Sequence, residues 1–235
     1  MKYIDRSKVA EPANLQGRSA PTKESEIDDK VYGHANVKDA LKTLQKGICC
    51  YCESRYDHTT YGDVEHFRPK KGYKQNEDDE LHKPGYYWLA HTWNNLMYAC
   101  EVCNRSYKQN YFPLKDPGKR FDEKVKDVSE EEPLLINPYE EEHPEQHIRF
   151  DGITIRALTD KGRASIKYYG LDRKELDEPR REMYNDIQAF VDVVNLAQGT
   201  VIETQMVDRL KERISEKLST GQHTLMVECN FGKFM

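Results

Sequence analysis

Two short stretches, CCYC at residues 49–52 and CEVCN at residues 100–104, decide how this chain folds. Each holds two cysteines separated by two residues: Cys49 with Cys52, and Cys100 with Cys103. Zinc prefers four thiolates in a tetrahedron, and a Cys-x-x-Cys turn supplies one edge of that tetrahedron. The spacing therefore predicts a structural zinc site that closes a long loop. Buried free thiols and a redox pair are the alternatives.

The two remaining cysteines lie outside these pairs. Only one residue separates Cys50 from Cys52, so Cys50 is the spare thiol of its stretch. Cys229 stands alone near the C-terminus and is predicted to be an ordinary buried thiol. A thioredoxin-like redox role is disfavoured because neither pair lies in a recognisable strand-helix repeat. Three disulfides are disfavoured because the N-terminus lacks the apolar core of a signal peptide.

The composition gives no signal for a membrane span and no general signal for nucleic-acid binding. No apolar run approaches the roughly 20 residues that cross a bilayer, so we expect a cytoplasmic protein without membrane contact. The 235 residues carry 36 basic and 41 acidic side chains, for a net charge of −5. Nucleic-acid-binding domains usually carry a basic footprint. Here the sequence offers one local basic patch: Arg68, Lys70, Lys71 and Lys74.

Three regions are predicted within an α+β fold. Residues 1–35 are polar and form an N-terminal arm, either loosely packed or ordered only on a partner. Residues 36–125 form a domain around the zinc site. Residues 126–235 form a region with a small hairpin and C-terminal helices.

Local patterns place the main elements of these regions. Residues 36–46 have apolar side chains at helical spacing, with Asn36 as N-cap and Gly47 as the stop. Residues 147–156 alternate apolar and polar side chains around an Asp-Gly pair, which predicts a hairpin. Two amphipathic helices follow and are broken near Gly199.

A carboxylate and an imidazole meet at the end of a predicted strand between the cysteine pairs. The strand covers residues 61–67, with Glu65 and His66 near its end. A phosphodiester hydrolase needs a base for water and a divalent cation that stabilises charge on the phosphate. Glu65 is a hard oxygen ligand suited to Mg²⁺ or Mn²⁺, and His66 titrates near neutrality, which suits a base. In isolation, such a dipeptide is more often a surface pair.

The wider pattern is what gives the dipeptide weight. Asn95-Leu96 follows it, and Asn104 stands directly after the second cysteine pair, nine positions beyond Asn95. This pattern resembles the signature of HNH endonucleases, which have a ββα-metal fold. The resemblance implies that His66 is the general base and that Asn95 holds the loop of the base in register. It further implies that Glu65 and Asn104 bind the catalytic Mg²⁺ or Mn²⁺, with the zinc cysteines as scaffold.

The chain departs from that signature in two places. Asn104 stands where many relatives have His, which weakens the case for Zn²⁺ as the catalytic metal. The segment between His66 and Asn95 is also longer than in minimal members, and its residues 86–93 are predicted to form an inserted helix. Asn94 is an alternative to Asn95 as the signature residue.

Other histidines and aromatic residues near the motif are predicted to be packing or surface residues rather than functional ones. Three lone histidines lack a partner at metal-ligand spacing and are predicted to pack or lie on the surface: His58, His82 and His91. Four aromatics could stack on bases, but their near-helical spacing favours the core: Tyr86, Tyr87, Trp88 and Trp93.

Basic side chains near the motif are candidate phosphate contacts. One group follows His66 directly: Arg68, Lys70 and Lys71. Its alternative is a solvated loop. Arg105 and Lys108 follow Asn104 on the predicted motif helix, where a cation could grip phosphate.

More distant residues narrow the resemblance. The run KQNYFPL at residues 108–114 and the run EPLLINP at residues 132–138 are similar to HNH subunits of Septu-type antiphage systems. That resemblance implies a partner, because such subunits are encoded beside an ABC-type or SMC-like ATPase. Some relatives accompany retrons, with their reverse transcriptase and its RNA-DNA product. Residues 126–235 offer a helix pair on which the ATPase could dock.

Two alternatives to a metal-dependent nuclease are kept. One is a non-catalytic zinc module that binds nucleic acid or protein, which leaves His66 without a role. The other is a scaffold subunit of the ATPase complex whose nuclease site has decayed. The sequence leaves open whether the substrate is DNA or RNA, including tRNA. It contains no P-loop, so any ATP hydrolysis belongs to the partner.

Overall fold

The computed structural model describes residues 1–55, 62–121 and 124–235 as helices and two small antiparallel sheets, which confirms the α+β class. The strands are β1 (Asp63–His66), β2 (Leu96–Ala99), β3 (Ile148–Asp151) and β4 (Thr154–Ala157). The helices are α1 (Asp29–Tyr32), α2 (Ala35–Gln45), a π-helix (Val102–Lys108), α3 (Asp160–Tyr169), α4 (Asp177–Ala197), α5 (Glu203–Thr220) and α6 (Thr224–Phe231). Within these ranges, none of the helices has the length and apolar character that a membrane crossing requires.

The first sheet joins the two ends of the predicted site region. β1 pairs antiparallel with β2, with Asp63 opposite Ala99 and His66 opposite Leu96. The predicted strand that carries Glu65 and His66 is confirmed as β1, although Tyr61 at the start of the predicted segment lies outside the described residues. The backbone N–H of Cys50 donates to the carbonyl of Tyr98 at 3.2 Å. The first cysteine stretch is thereby attached to the same sheet.

A π-helix begins within the second cysteine pair and includes Cys103. The sequence predicts that Asn104 opens this helix, whereas the structure begins the helix at Val102. π-Helical turns are rare and occur often at functional sites. Asn104 and Lys108 lie one turn apart on it, and both side chains contact β1.

The helix before the first cysteine pair begins one residue earlier than predicted. Its N-cap is His34, whose Nδ1 accepts from the backbone N–H of Asn36 at 3.2 Å. Asn36 is therefore not the cap. The helix ends at Gln45, and Lys46 and Gly47 after it both have positive φ, so the predicted stop at Gly47 agrees with the backbone.

The predicted inserted helix over residues 86–93 is wrong. The structure has a 3₁₀ turn at Tyr87–Leu89 and another at Trp93–Asn95. An α-helix over these residues would use the Leu89 carbonyl for its own ladder and would leave the Ala90 carbonyl, in its last turn, without a helical partner. Here the side chain of Asn95 donates to the Leu89 carbonyl and that of His66 donates to the Ala90 carbonyl. Side chains of the candidate site thus bind carbonyls of this segment in its non-helical conformation.

The hairpin and the helix pair of the C-terminal region are confirmed. β3 and β4 meet at a turn containing Gly152, whose φ of 58° lies in the left-handed region. Asn230 of α6 exchanges hydrogen bonds with Gly152, accepting at 2.9 Å from its N–H and donating at 2.9 Å to its carbonyl. α4 and α5 are separated near Gly199 and bury apolar stripes that include Ile187, Val191, Leu210 and Ile214.

The N-terminal arm packs on the rest of the chain, in contrast to the loosely packed terminus predicted. Met1 and Leu15 are buried. Arg6 donates to the backbone carbonyls of Trp93 and Leu96, and its guanidinium lies 4.3 Å from the Trp93 ring centroid. Because these carbonyls flank Asn95, the arm supports the loop that carries a predicted site residue.

Candidate active site and cysteine cluster

The four cysteines of the two Cys-x-x-Cys pairs converge in the core. Their sulfurs all lie within 4.8 Å of one another, and all four residues are buried: Cys49, Cys52, Cys100 and Cys103. Tetrahedral ligands with zinc–sulfur bonds of about 2.3 Å stand about 3.8 Å apart. The Sγ atoms of Cys52 and Cys100 are 3.9 Å apart. The donor set and its spacing therefore fit a zinc ion.

Protein groups around the cluster stabilise negative charge on its sulfurs. The backbone N–H of Cys100 donates to Cys49 Sγ at 3.3 Å, and Arg173 Nη1 donates to Cys103 Sγ at 3.3 Å. Hydrogen bonds from the neighbouring thiols, that of Cys100 first, hold the pKa of Cys52 well below its usual value. Burial raises the pKa of Cys49 well above its usual value. A bound cation is what would bring all four sulfurs to the thiolate form.

The two other cysteines lie outside the cluster. Cys50 is buried, with 2% of its surface exposed, and is absent from the ligand set, as predicted for a spare thiol. Cys229 is only half-buried, whereas the sequence predicts a buried thiol. It lies on α6, whose other side faces β3 through Asn230.

His66 is held in one orientation at the end of β1. Its ring is 3% exposed, and its Nε2 lies 2.9 Å from the Ala90 carbonyl. A carbonyl only accepts, so Nε2 carries the proton and Nδ1 keeps its lone pair. The Nζ atom of Lys70 lies 3.3 Å from Nδ1, and the Tyr32 ring packs edge-on at a centroid distance of 4.6 Å. Burial, followed by the Lys70 charge, lowers the pKa of His66 well below 6.5. The ring is therefore neutral at pH 7.

Asn95 connects the β1 end to the loop before β2. Its Oδ1 accepts from the Arg68 N–H at 2.8 Å, and its Nδ2 donates to the carbonyls of Arg68 and Leu89 at 3.0 and 3.2 Å. Asn95 is buried, whereas Asn94 is exposed. Between the two candidates, Asn95 is the one whose side chain holds the loop beside His66.

Asn104 faces Asp63 across the gap between the π-helix and β1. Its Nδ2 donates to Asp63 Oδ2 at 3.0 Å, which leaves the amide oxygen as the atom available for a metal. Arg105 makes two bonds to the same carboxylate, Nε to Oδ2 and Nη2 to Oδ1, each 2.7 Å. It also contacts Glu101 at 2.9 Å. Asp63 therefore orients both residues.

Glu65 faces Lys108, one turn further along the π-helix. Oε1 of Glu65 and Nζ of Lys108 are 2.6 Å apart, and both side chains are buried. Their geometry is that of an ion pair without a proper hydrogen bond, since Glu65 Oε1 has no hydrogen-bond partner in the described part of the chain. Lys108 instead donates to the His66 carbonyl at 3.0 Å. Lys108 thus joins Glu65 to the backbone of His66.

An open cleft of about 420 Å³ lies between α1, β1 and the π-helix. The polar side chains of its lining come from these three elements, from α2 and from the loop after β1: Asp29, Tyr32, Lys38, Asp63, Lys70, Asn104 and Arg105. Sequence reasoning missed Asp63, Asp29 and Tyr32. Asp63 had a signal, because it stands two residues before Glu65 and so shares its strand face. Nothing in the sequence pattern brings α1 to this cleft.

The candidate phosphate contacts differ in how exposed their side chains are. Arg68 is mostly buried and pairs with buried Glu131 at 3.0 Å, and Lys108 is fully buried, so neither is presented at the surface. Lys71 and Arg105 are exposed. Lys70 is half-buried and lines the cleft. Among these cations, Lys70 and Arg105 are the ones next to the candidate site.

The lone histidines are not brought into either site. His82 pairs with Asp79 at 2.8 Å on the surface. His91 accepts from the Asp28 N–H at 3.2 Å and stacks with Tyr32, which makes it a packing residue. His58 lies outside the described residues. The aromatics Tyr86, Tyr87, Trp88 and Trp93 are buried, as their spacing favours.

Comparison with known proteins gives one informative similarity. The chain is 42% identical over 170 residues, 71% of its length, to the Septu protein PtuB of Bacillus mycoides. The aligned region covers 57% of that relative, so the chain spans little more than half of it. No protein-family model matches the chain. The similarity agrees with the Septu-type resemblance seen in the sequence.

Proposed function

We propose that this chain is a metal-dependent HNH endonuclease that hydrolyses phosphodiester bonds in nucleic acid. The observation that supports this proposal most strongly is the state of His66, a neutral imidazole whose Nε2 is bound to a carbonyl and whose Nδ1 contacts Lys70. Such a ring is suited to accept a proton from water. The similarity to PtuB supports a role as a subunit of an antiphage defence complex.

His66 and Asn95 divide the proton-transfer task in this proposal. His66 Nδ1 takes the proton of the attacking water, while the Ala90 carbonyl keeps the opposite nitrogen protonated. Asn95 acts through the backbone, because its three hydrogen bonds fix the loop that supplies this carbonyl. The low pKa of His66 keeps the base deprotonated at pH 7.

Glu65 and Asn104 are the proposed ligands of the catalytic Mg²⁺ or Mn²⁺. The residues fit a hard cation, because Glu65 Oε1 makes no properly formed hydrogen bond among the described residues, only an ion pair with Lys108, and the Asn104 amide offers its oxygen. When bound, the cation would stabilise negative charge on the phosphate and the leaving oxygen. Asp63 orients the Asn104 amide, and Lys108 shares the Glu65 carboxylate.

The zinc ion proposed at the four cysteines is a scaffold. It ties the turn before β1 to the turn after β2, and these two strands carry the candidate site. The sulfurs are fully enclosed, with no open position for water, as in structural zinc sites. The proposed division places folding at the cysteines and chemistry at the cleft.

The proposal also assigns partner proteins to this chain. Low net charge predicts weak binding of nucleic acid by the isolated chain. An ABC-type or SMC-like ATPase, PtuA-like in a Septu system, would supply substrate affinity and the trigger. A retron reverse transcriptase with its RNA-DNA product is a further partner of related systems. The C-terminal helices α4 and α5 are the proposed docking surface for the ATPase.

A non-catalytic zinc module or scaffold subunit is the second candidate. It is favoured by the ion pair of Glu65 with Lys108, which already neutralises the proposed metal ligand. A decayed site would keep such a pair as packing. This candidate predicts zinc binding and complex formation without hydrolysis.

A cleavage assay separates the two candidates. The chain is combined with its neighbouring ATPase and incubated with labelled plasmid or total cellular RNA, in Mg²⁺ or in EDTA. Mg²⁺-dependent cutting that is lost in Asn104→Ala supports the nuclease and identifies its substrate. No cutting of either substrate under any condition, with zinc bound, supports the scaffold and overturns the nuclease.

A further inference from the structure

The nitrogen of His66 that would accept the proton from water is occupied in this structure. Nε2 is committed to the Ala90 carbonyl, so Nδ1 holds the only lone pair of the ring. Lys70 Nζ lies 3.3 Å from that atom. A lysine ammonium has donors only, so Lys70 is the donor and His66 the acceptor. In this arrangement the base has no free lone pair for water.

Lys70 differs from Arg105 and Lys108 in having no carboxylate partner among the described residues; Lys38, which also lines the cleft, has none either, but it has no described contact with His66. Arg105 contacts Asp63 and Glu101, and Lys108 contacts Glu65. Within residues 1–55, 62–121 and 124–235, no carboxylate lies at ion-pair distance from Lys70. Asp29 and Glu65 act on it electrostatically from further away. Its near contacts are the imidazole and the Tyr32 ring, whose centroid is 4.7 Å from Nζ.

An ammonium in these surroundings favours an anion. It is half-buried, so it has lost part of its hydration, and an imidazole and an aromatic ring replace that hydration incompletely. The side chain lines the open cleft together with Asn104, so a ligand in the cleft can reach it. Four flexible carbons connect Nζ to the backbone, which allows Nζ to turn from Nδ1 toward the cleft.

We propose that Lys70 is a gate on the base: its ammonium caps His66 Nδ1 in the free protein and leaves for a phosphodiester oxygen when substrate enters the cleft. The proposal rests on the proposed function, because it assigns His66 the role of base. No covalent bond changes in the exchange. Lys70 keeps its protons, and one hydrogen bond to Nδ1 is replaced by a charge-assisted bond to the phosphate. The base then becomes available only beside a phosphodiester.

The neighbouring basic residues cannot substitute for this gate. Arg68 is fixed by buried Glu131, and its contacts lie away from His66. Lys71 follows Lys70 directly, but its side chain is exposed and has no described contact with the ring. The gate therefore depends on one side chain, which makes it testable by substitution.

The first test follows the His66 Nδ1 resonance by NMR and does not depend on cleavage. In ¹⁵N-histidine-labelled protein, the His66 signals are identified by their loss in His66→Gln. Lys70→Met should move the Nδ1 resonance toward the value of an unbonded imidazole nitrogen. Lys30→Met, which removes an equal charge from exposed α1, should leave it in place. If Lys70→Met does not fold, Lys70→Leu, which also lacks a donor, serves the same purpose. An Nδ1 resonance unaffected by removal of the ammonium would overturn the proposal.

The second test adds the anion. Dimethyl phosphate, and separately a short oligonucleotide in buffer without added Mg²⁺ or Mn²⁺, should move the wild-type Nδ1 resonance toward its position in Lys70→Met. Neither probe should move it further in that variant. No shift with either probe would overturn the gate.

Cleavage kinetics separate the gate from the nuclease itself. Lys70→Met should raise KM by about tenfold or more, since a charge-assisted phosphate contact is lost. Lys70→Arg should recover most of the affinity. A probe-driven shift without any cleavage would leave the gate standing and the nuclease refuted. Cleavage with wild-type KM in Lys70→Met would refute the gate and leave the nuclease standing.

Discussion

The cysteine cluster and the cleft near His66 are two polar sites of this protein, and they are built in opposite ways. In the cluster, four identical donors converge within 4.8 Å, and four thiolates there would need a cation to compensate their charge. At and beside the cleft, polar groups are paired with protein groups of another kind, as Asn104 is with Asp63 and His66 is with Ala90 and Lys70. The cluster therefore depends on the proposed zinc, whereas the polar groups around the cleft are held by the protein itself. The cysteine cluster is thus the part that stabilises the fold, and the cleft is the part where we propose that the chemistry takes place.

The largest effect is expected from breaking the cluster. Cys100→Ser should unfold the region around β1 and β2, because structural zinc binding is worth about 10 kcal/mol of folding free energy or more. Zinc content and the thermal midpoint measure this loss. Cys229→Ser, outside the cluster, should keep both near the wild-type values. A folded Cys100→Ser protein without zinc would show that the cluster is not needed.

A smaller but still large effect is expected on the cleft side from the Glu65–Lys108 pair. Lys108→Met leaves a buried carboxylate unpaired and should lower the free energy of unfolding by about 3–5 kcal/mol. The double variant with Glu65→Gln should recover part of that loss. Lys115→Met, which breaks an exposed pair with Glu132, should change stability by less than about 1 kcal/mol. Denaturant titration measures all three; equal losses for the two lysines would contradict the buried pair.

The cluster side should also respond to pH through His223. The N–H of His223 donates to the carbonyl of Glu53, the residue after Cys52, and burial lowers the pKa of His223 to about 4. The unfolded chain binds this proton near pH 6.5, so stability falls as pH drops from 6.5 toward 4. Between pH 7 and pH 5 the loss should be about 2 kcal/mol.

The control for this prediction is a pair of asparagine substitutions. His223→Asn should remove that part of the pH dependence, whereas His143→Asn, which is exposed, should keep it. Denaturant titrations at the two pH values give the comparison. A wild-type pH slope in His223→Asn would contradict the assignment.

The smallest effect concerns the protein groups around the zinc. Arg173 donates to Cys103 Sγ at 3.3 Å and to the Gly170 carbonyl at 2.8 Å. Arg173→Gln should weaken zinc retention by about 10- to 100-fold, the usual range for outer partners of metal ligands. Competition with a coloured chelator measures the affinity. Arg181→Gln, on the exposed side of α4, is the matched control and should retain zinc like the wild type.

The two sites also differ in how far the sequence predicts them. The cluster follows from spacing alone, because a Cys-x-x-Cys turn carries its geometry within four residues. The strand positions and the Asp-Gly hairpin are equally local. The cleft depends on contacts that spacing does not encode. Lys108 reaches Glu65 from the π-helix at Val102–Lys108, and α1, which is remote in sequence from the other lining elements, forms one wall of the cleft.

The wrong prediction of a helix at residues 86–93 has the same origin. Near-helical spacing of aromatics indicates burial, which the structure bears out, but burial alone does not select a helix. The side chains of His66 and Asn95 bind carbonyls of this segment, and those contacts are visible only in three dimensions. Polar groups of the candidate site thus override a local pattern.

The proposed separation of a zinc scaffold from a catalytic cleft is tested most directly by measuring cleavage by His66→Ala in the complex with the ATPase. The zinc content and the thermal midpoint are determined on the same preparation. The account predicts one zinc per chain, a thermal midpoint that is lowered by the buried truncation but stays above the assay temperature, and a cleavage rate lowered by about 10²- to 10⁴-fold through loss of the base. Cleavage at the wild-type rate by zinc-loaded His66→Ala would contradict it, because the chemistry would then lie outside the cleft.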